Sequence, residues 1–232
     1  MFRQIRLLLF DLDYIIFDCS ALKVRALRQS LISFADAIPQ NIRLPDAMDA
    51  EEGYRDHGFR WTQFLEIGLG EERLSELQLA YRIHEDRLLE AGVGEIYPGI
   101  FELLEKCRES GLELALGAEA SRDYLLEVSD RHRLDRVFGI ALCTEEFGVG
   151  STDEMLEEIM RHHEVNPSET VVLGTRPAFF ESAHNHDLVT VGCGWGLHKH
   201  DRLAEADFKA LTMTSLQTAL QEADRLAARY SA

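Results

Sequence analysis

The chain has 232 residues, and 46% of them are hydrophobic, which is enough to bury one substantial core and a smaller second module. Its 41 Asp and Glu residues outnumber 24 Lys and Arg residues, so the formal net charge is -17. A surface of this charge repels nucleic acid phosphate and anionic membranes, and we therefore expect neither as a partner.

The first predicted element is a buried strand, Leu7–Phe10, which is followed directly by Asp11-Leu12-Asp13. Because side chains alternate along a strand, Asp11 and Asp13 should project to the same side of the chain. The carboxyl ends of strands form the edge at which open α/β sheets bind ligands. The sequence therefore predicts a pair of carboxylates at a ligand-binding edge.

Helices are predicted almost throughout the segment from about Ser20 to Leu89. In its first part, apolar residues recur at helical spacing, and Pro39 ends that element. The remaining predicted helices of this segment are Pro45–Glu52, Trp61–Leu69 and Glu71–Leu89.

Beyond this segment, short apolar runs alternate with helical patterns. The predicted strands are Leu112–Leu116, Phe138–Leu142, Thr170–Leu173 and Leu188–Val191. The predicted helices are Phe101–Glu109, Arg122–Arg131, Asp153–His163, Ala178–His186 and Leu216–Ala228. This alternation is typical of a parallel sheet with helices on both faces. We therefore predict a Rossmann-like α/β core from residues 1–18 and 95–232, with an all-helical domain, residues 19–94, inserted after the first strand.

Cysteine spacing and hydropathy give an expected compartment. The four cysteines are far apart and form no C-x-x-C pair, which argues against a zinc site or a disulfide framework. The first apolar run is interrupted by Asp11 and Asp13, unlike that of a signal peptide, and no apolar run is long enough to span a bilayer. We expect a cytoplasmic protein.

Several segments, in this order, resemble the haloacid dehalogenase (HAD) superfamily, and in particular its phosphoglycolate phosphatase-like members with a helical cap. They are the Asp11–Asp13 motif after a buried strand, the helical insert, Tyr97-Pro98-Gly99-Ile100 before a helix, and Val191–Gly196. The similarity covers nearly the whole chain. It implies a HAD-like hydrolase fold whose insert is a cap, with Asp11 as nucleophile and Asp13 as general acid and base.

The first two motifs of that family are altered here. After its second Asp the family has Gly and then Thr or Val, whereas this chain has Tyr14 and Ile15. The Tyr ring adds bulk where a substrate would enter, although both residues could simply pack under the cap. The family's second motif supplies a Ser or Thr hydroxyl to a phosphoryl oxygen. Ala118 stands in its place, and Glu119 adds a negative charge beside it.

The third and fourth motifs are altered as well. The family's third motif is a Lys, and Ser151 stands at that position. Its fourth motif, Gly-Asp-x-x-x-Asp, holds magnesium through two acids, and Thr175 and Phe179 replace them. A hydroxyl is no substitute for a carboxylate on a hard cation. The resemblance therefore extends to the fold but to little of the catalytic set.

Arg176 is a candidate counter-ion for the two remaining carboxylates. Two adjacent carboxylates need a positive neighbour, or one of them must hold a proton. Arg176 follows Thr175 at the end of a strand, and we predict that its guanidinium bridges Asp11 and Asp13 in place of a metal. The alternative is that Arg176 lies in solvent.

Loss of one electrostatic donor or cation typically lowers a rate by about 10²–10³. We therefore predict a HAD-like protein that is inactive or very weak as a phosphatase, with Asp11 and Asp13 as remnants. This interpretation expects no cofactor and an unknown small molecule or protein as the partner. The alternative is an active phosphoglycolate phosphatase-like phosphomonoester hydrolase that uses Mg²⁺, with Asp11 as nucleophile and Asp13 as acid and base. A purely structural role has no specific sign in the sequence.

Overall fold

The computed structural model describes residues 2–34, 61, 64–65, 68–148, 152–197 and 200–230. The chain divides into two compact units, one made of Met1–Asp18 and Ile96–Ala232 and the other of Cys19–Glu95. The predicted helix Pro45–Glu52 lies outside the described residues, as does much of the predicted helix Trp61–Leu69. No helix within the described ranges is long and apolar enough to cross a membrane.

A parallel sheet forms the centre of the first unit, as the sequence predicts, and it has a sixth strand in addition to the five that the sequence predicts. Its strands are β1 (Leu7–Asp11), β4 (Glu113–Ala118), β5 (Ile140–Cys143), β6 (Thr170–Gly174), β7 (Val189–Cys193) and β8 (Phe208–Ala210). The strand order is β5-β4-β1-β6-β7-β8. Two short strands, β2 (Phe17–Asp18) and β3 (Glu95–Ile96), form a separate sheet. The α/β fold is confirmed.

In the described part of the second unit, the long helices are α1 (Ser20–Ser33) and α2 (Glu71–Glu90). They pack against each other through an apolar cluster of their own, whose buried residues are Ala26, Leu27, Leu31, Phe64, Leu69, Leu74, Leu77 and Tyr81. This unit therefore has a core separate from that of the sheet. Its role as a cap stays a prediction.

The helices of the first unit are α3 (Ile100–Glu109), α4 (Arg122–His132), α5 (Thr152–His162), α6 (Pro177–Asn185) and α7 (Leu216–Tyr230). Local signals fix where several of them begin. Ser121 caps α4, its Oγ accepting a hydrogen bond of 3.2 Å from the backbone amide of Tyr124. Pro177 opens α6, where its missing N–H removes no helical hydrogen bond. These helix starts lie just after strand ends.

Strand β1 is buried on both faces. Leu7 and Leu9 share an apolar cluster with residues of α5 and α6. Leu8 and Phe10 point the opposite way, because side chains alternate along a strand, and they are also fully buried. A parallel sheet covered on both faces needs such continuous apolar runs, which is why β1 is evident in the sequence.

The N-terminal segment is held against α7 by one carboxylate. The backbone amides of Arg3, Gln4 and Ile5 donate to Asp224 over 2.8–3.1 Å. Partial burial acts to raise the pKa of Asp224, but the amides of Ile5, Gln4 and Arg3 outweigh it and hold that pKa below its usual value. The N-terminal segment and helix α7 thus meet.

The strand register determines what surrounds Asp11. In β4, Gly117 lies opposite Asp11, and in β6, Leu173 lies opposite Phe10. The residues that end or follow these two strands therefore flank Asp11 from both sides. The edge formed by the carboxyl ends of these strands carries the side chains of the candidate site.

Candidate active site

Asp11 and Arg176 form an ion pair at the carboxyl edge of the sheet. Asp11 ends β1 and is 1% exposed. Nε and Nη2 of Arg176 both donate to Oδ2 of Asp11, at 3.0 and 2.9 Å. Charge-assisted hydrogen bonds of this kind are about twice as strong as neutral ones. The predicted contact between Arg176 and Asp11 is confirmed.

The other edge of the guanidinium contacts Glu119. Nη1 of Arg176 donates to Oε2 of Glu119, and Oε1 of Glu119 accepts a 2.8 Å hydrogen bond from the hydroxyl of Thr152. Side chains at the ends of β1, β4 and β6 and at the start of α5 are thereby connected. We call Asp11, Arg176, Glu119 and Thr152 the Arg176 network.

The predicted bridge to Asp13 is not formed. Arg176 makes no hydrogen bond to Asp13 among the contacts of the described residues, and Asp13 acts on it through charge alone. The chain leaves β1 after Asp11 and turns back, so that Asp13 pairs with Phe17 in an isolated β-bridge. In that turn, Oδ1 of Asp13 accepts a 2.9 Å hydrogen bond from the hydroxyl of buried Tyr124.

Charge and burial fix the protonation of two groups near Asp11. Burial acts to lower the pKa of Arg176, but the carboxylates of Asp11 and Asp13 outweigh it and raise that pKa, so the guanidinium stays charged. At the end of β7, burial raises the pKa of the Cys193 thiol, and the charge of Asp11 raises it further. Cys193 is therefore a neutral thiol and a poor nucleophile.

Tyr14 and Ile15 form a buried turn, with 4% and 0% exposure. Tyr14 has a φ of 65°, in the left-handed region that favours the glycine of the family motif. Indole Nε1 of Trp195 donates to the carbonyl of Ile15 at 3.0 Å. A Cβ on Gly196 would lie within 2.3 Å of the Tyr14 carbonyl oxygen. The segment that ends in Trp195 and Gly196 therefore supports this turn directly.

The remaining predicted site residues lie around the network. Ala118 ends β4, is buried and supplies no hydroxyl. Thr175 is fully buried, and its hydroxyl has no hydrogen-bond partner within the described part of the chain. The ring of Phe179 lies 5.6 Å from the guanidinium carbon of Arg176. Ser151 lies outside the described residues.

Two contributors were not predicted as site residues. The sequence gives Tyr124 no sign of a role in the site, because its pattern is that of the third residue of a capped helix. Thr152 was not selected because it lies one residue beyond the expected lysine position. Their position after strand ends was the available signal.

The residues present do not fit the Mg²⁺ ion that the family resemblance implies. Oδ2 of Asp11 already accepts two hydrogen bonds from Arg176, and Thr175 and Phe179 offer no carboxylate. Over the ranges that the structure describes, no group of three or more His, Cys, Asp or Glu side chains is placed to hold a metal ion. Mg²⁺ prefers carboxylate and water oxygens in near-ideal octahedral geometry, which this edge does not provide.

Comparison with known proteins agrees with this fold. The family model of haloacid dehalogenase-like hydrolases matches residues 8–193. The pyrophosphatase PpaX of Halalkalibacterium halodurans is 22% identical over 209 residues, which are 88% of this chain and 90% of that protein.

Two solved structures are also similar. A haloacid dehalogenase-like family hydrolase from Streptococcus pneumoniae has a TM-score of 0.75 at 17% identity and covers 94% of this chain and 99% of its own. A predicted phosphoglycolate phosphatase from Haemophilus somnus 129pt has a TM-score of 0.73 at 14% identity, with the same two coverages of 94% and 99%. At these identities the structures establish the fold. Because the family model matches most of this chain, the chain belongs to the haloacid dehalogenase-like hydrolase family.

Proposed function

We propose that this protein does not hydrolyse phosphate esters and that it acts by binding a small molecule or a protein partner. The ion pair between Arg176 and Asp11 carries this proposal. A carboxylate that attacks phosphorus must be a strong nucleophile. Here two N–H donors of Arg176 hold Oδ2 of Asp11, and they stabilise its charge in the resting site, which lowers its nucleophilicity.

The charge of the site supports the same proposal. Asp11 and Glu119 pair with one guanidinium, and the charge of Asp13 also acts on it, so the carboxylates outnumber this cation. At an effective dielectric constant near 20, two unit charges about 4 Å apart interact by about 4 kcal/mol. A phosphate dianion entering beside an unneutralised carboxylate would meet a repulsion of at least that size. A phosphatase site needs the opposite balance.

A direct assay tests the proposal. The wild-type protein is incubated with p-nitrophenyl phosphate, phosphoglycolate and pyrophosphate in the presence of Mg²⁺, beside the variant Asp11→Asn. The matched control is Asp187→Asn, which changes an exposed aspartate before β7, at the opposite edge of the sheet. For all three substrates, we expect the wild type to release phosphate no faster than Asp11→Asn does.

The phosphatase alternative makes the opposite prediction. Mg²⁺-dependent release that Asp187→Asn retains and Asp11→Asn loses would overturn the proposal and establish Asp11 as a nucleophile. A second measurement is the melting temperature in inorganic phosphate. A ligand that binds only the native state raises the melting temperature. Since the proposal expects no phosphate to bind at the site, we expect inorganic phosphate to leave the melting temperature unchanged.

A further inference from the structure

The position of Arg176 bears on which cation serves this site. We infer that the guanidinium of Arg176 is the resident cation of the edge, and that it takes over the charge-neutralising role of a divalent ion, so that the protein binds no Mg²⁺ there. The inference rests on the proposed function, since it concerns the same site. It adds that the site is complete without a metal.

Arg176 is fixed from three directions. Asp11 holds Nε and Nη2, Glu119 holds Nη1, and the ring of Phe179 lies 5.6 Å from the guanidinium carbon. Each contact stabilises a cation, and the last is of the cation–π type. Glu119 is itself oriented by the hydroxyl of Thr152. This arrangement leaves Arg176 little freedom to swing out into solvent.

A metal ion would have to compete with this guanidinium. An ion bound to Oδ2 of Asp11 would lie about 2.0–2.1 Å from that oxygen if it were Mg²⁺. Two nitrogens of Arg176 already lie 2.9 and 3.0 Å from the same oxygen. Two cations at one oxygen repel each other strongly where water is excluded, and Asp11 is 1% exposed. The guanidinium and a metal are therefore alternatives at Oδ2 of Asp11.

Removing Arg176 should reveal the requirement for a cation. Arg176→Ala removes the cation that pairs with the carboxylates of Asp11 and Glu119, which is costly where carboxylates are buried. Oxygen ligands of this kind are the ones that hard divalent cations prefer. Arg176→Lys keeps one positive charge, so this variant should need no added metal.

The opposite edge of the sheet offers a matched control. Arg6 also lies between two glutamates, 3.7 Å from Glu113 and 3.3 Å from Glu169. Its side chain is 49% exposed, compared with 20% for Arg176, so water and salt screen its charges. Arg6→Ala therefore removes an equivalent charge from a place that has little need of a counter-ion.

Thermal unfolding in EDTA and then in millimolar Mg²⁺ or Ca²⁺ tests the inference, with isothermal titration of the same ions into the native protein. For the wild type and Arg6→Ala, we expect no shift and no binding heat. Arg176→Ala should melt about 10 °C lower. A divalent ion at roughly ten times its dissociation constant should return about 4 °C of that loss. Arg176→Lys should stay insensitive to the ions.

Two results would overturn the inference. One is Mg²⁺ binding to the wild type that Asp11→Asn abolishes, and the other is an Arg176→Ala variant that folds and ignores divalent ions. If that variant does not fold, the wild-type titration and Arg176→Lys still decide. Mg²⁺ binding without ester hydrolysis would refute this inference and leave the proposed function standing. Hydrolysis that needs no divalent ion would refute the proposed function alone.

Discussion

Tyr14 combines a strained backbone with a buried ring, and the two contributions can be separated by experiment. Its φ of 65° costs little for glycine but disfavours any residue with a Cβ. Its side chain is 4% exposed, and its ring lies 5.8 Å from the guanidinium carbon of Arg202. Tyr14→Ala and Tyr14→Gly both remove the ring, but only Tyr14→Gly also removes the strain.

The sizes of the two contributions follow from this environment. Loss of a buried aromatic ring lowers the free energy of unfolding by about 3–5 kcal/mol. Loss of the contact with Arg202 adds about 0.5–1 kcal/mol. The left-handed conformation costs a residue with a Cβ about 1–2 kcal/mol, partly offset by the greater unfolded-state entropy of glycine. We therefore expect both variants to be destabilised, Tyr14→Ala by about 4 kcal/mol and Tyr14→Gly by about 3 kcal/mol.

Urea unfolding of the two variants measures the difference. The control is Glu105, an exposed position inside helix α3, where alanine should be more stable than glycine by about 1 kcal/mol. The order of alanine and glycine should therefore reverse between positions 105 and 14. If alanine at position 14 is as stable as glycine, the argument from backbone strain is refuted.

Two further predictions concern groups with shifted pKa values. Asp224→Asn should lower stability by about 1 kcal/mol, because its amide accepts hydrogen bonds more weakly than a carboxylate. Because folding lowers the pKa of Asp224, its carboxylate stabilises the protein above its unfolded pKa of about 3.9, and this stabilisation is lost as the pH falls through the folded value. In urea titrations at acid pH, the free energy of unfolding of Asp224→Asn should therefore fall less than that of the wild type. Equal losses would contradict this assignment. Burial raises the pKa of Cys107 and Cys143 to about 11, so both thiols should resist Ellman's reagent at pH 8 until urea unfolds the protein, and rapid native labelling of either would contradict their burial.

The fold was predictable where burial leaves a strong pattern in the sequence. Strand β1 is buried on both faces and is therefore an unbroken apolar run, whereas β8 has three residues and only one of them, Ala210, is buried. The pattern of apolar residues consequently predicts β1 and not β8. The spacing of apolar residues cannot identify a strand of only three residues at the edge of the sheet.

The site was predictable only in part, for a related reason. Charge balance and the order of the strands were enough to predict the pairing of Asp11 with Arg176. The bond from Tyr124 to Asp13 spans 111 residues, and that from Thr152 to Glu119 spans 33. Such contacts depend on how helices are placed over the sheet, and the local sequence does not specify this.

The central place of β1 has a consequence for synthesis of the protein. This strand leaves the ribosome before its partners β4 and β6, which begin at residues 113 and 170, and the amide of Ile5 pairs with a carboxylate 219 residues later. A nascent chain must therefore carry an apolar strand with both edges open until β4 is made, and with one edge open until β6 is made. Such long-range closure slows folding and exposes the strand to aggregation, so chaperone holding during translation should raise the yield of native protein.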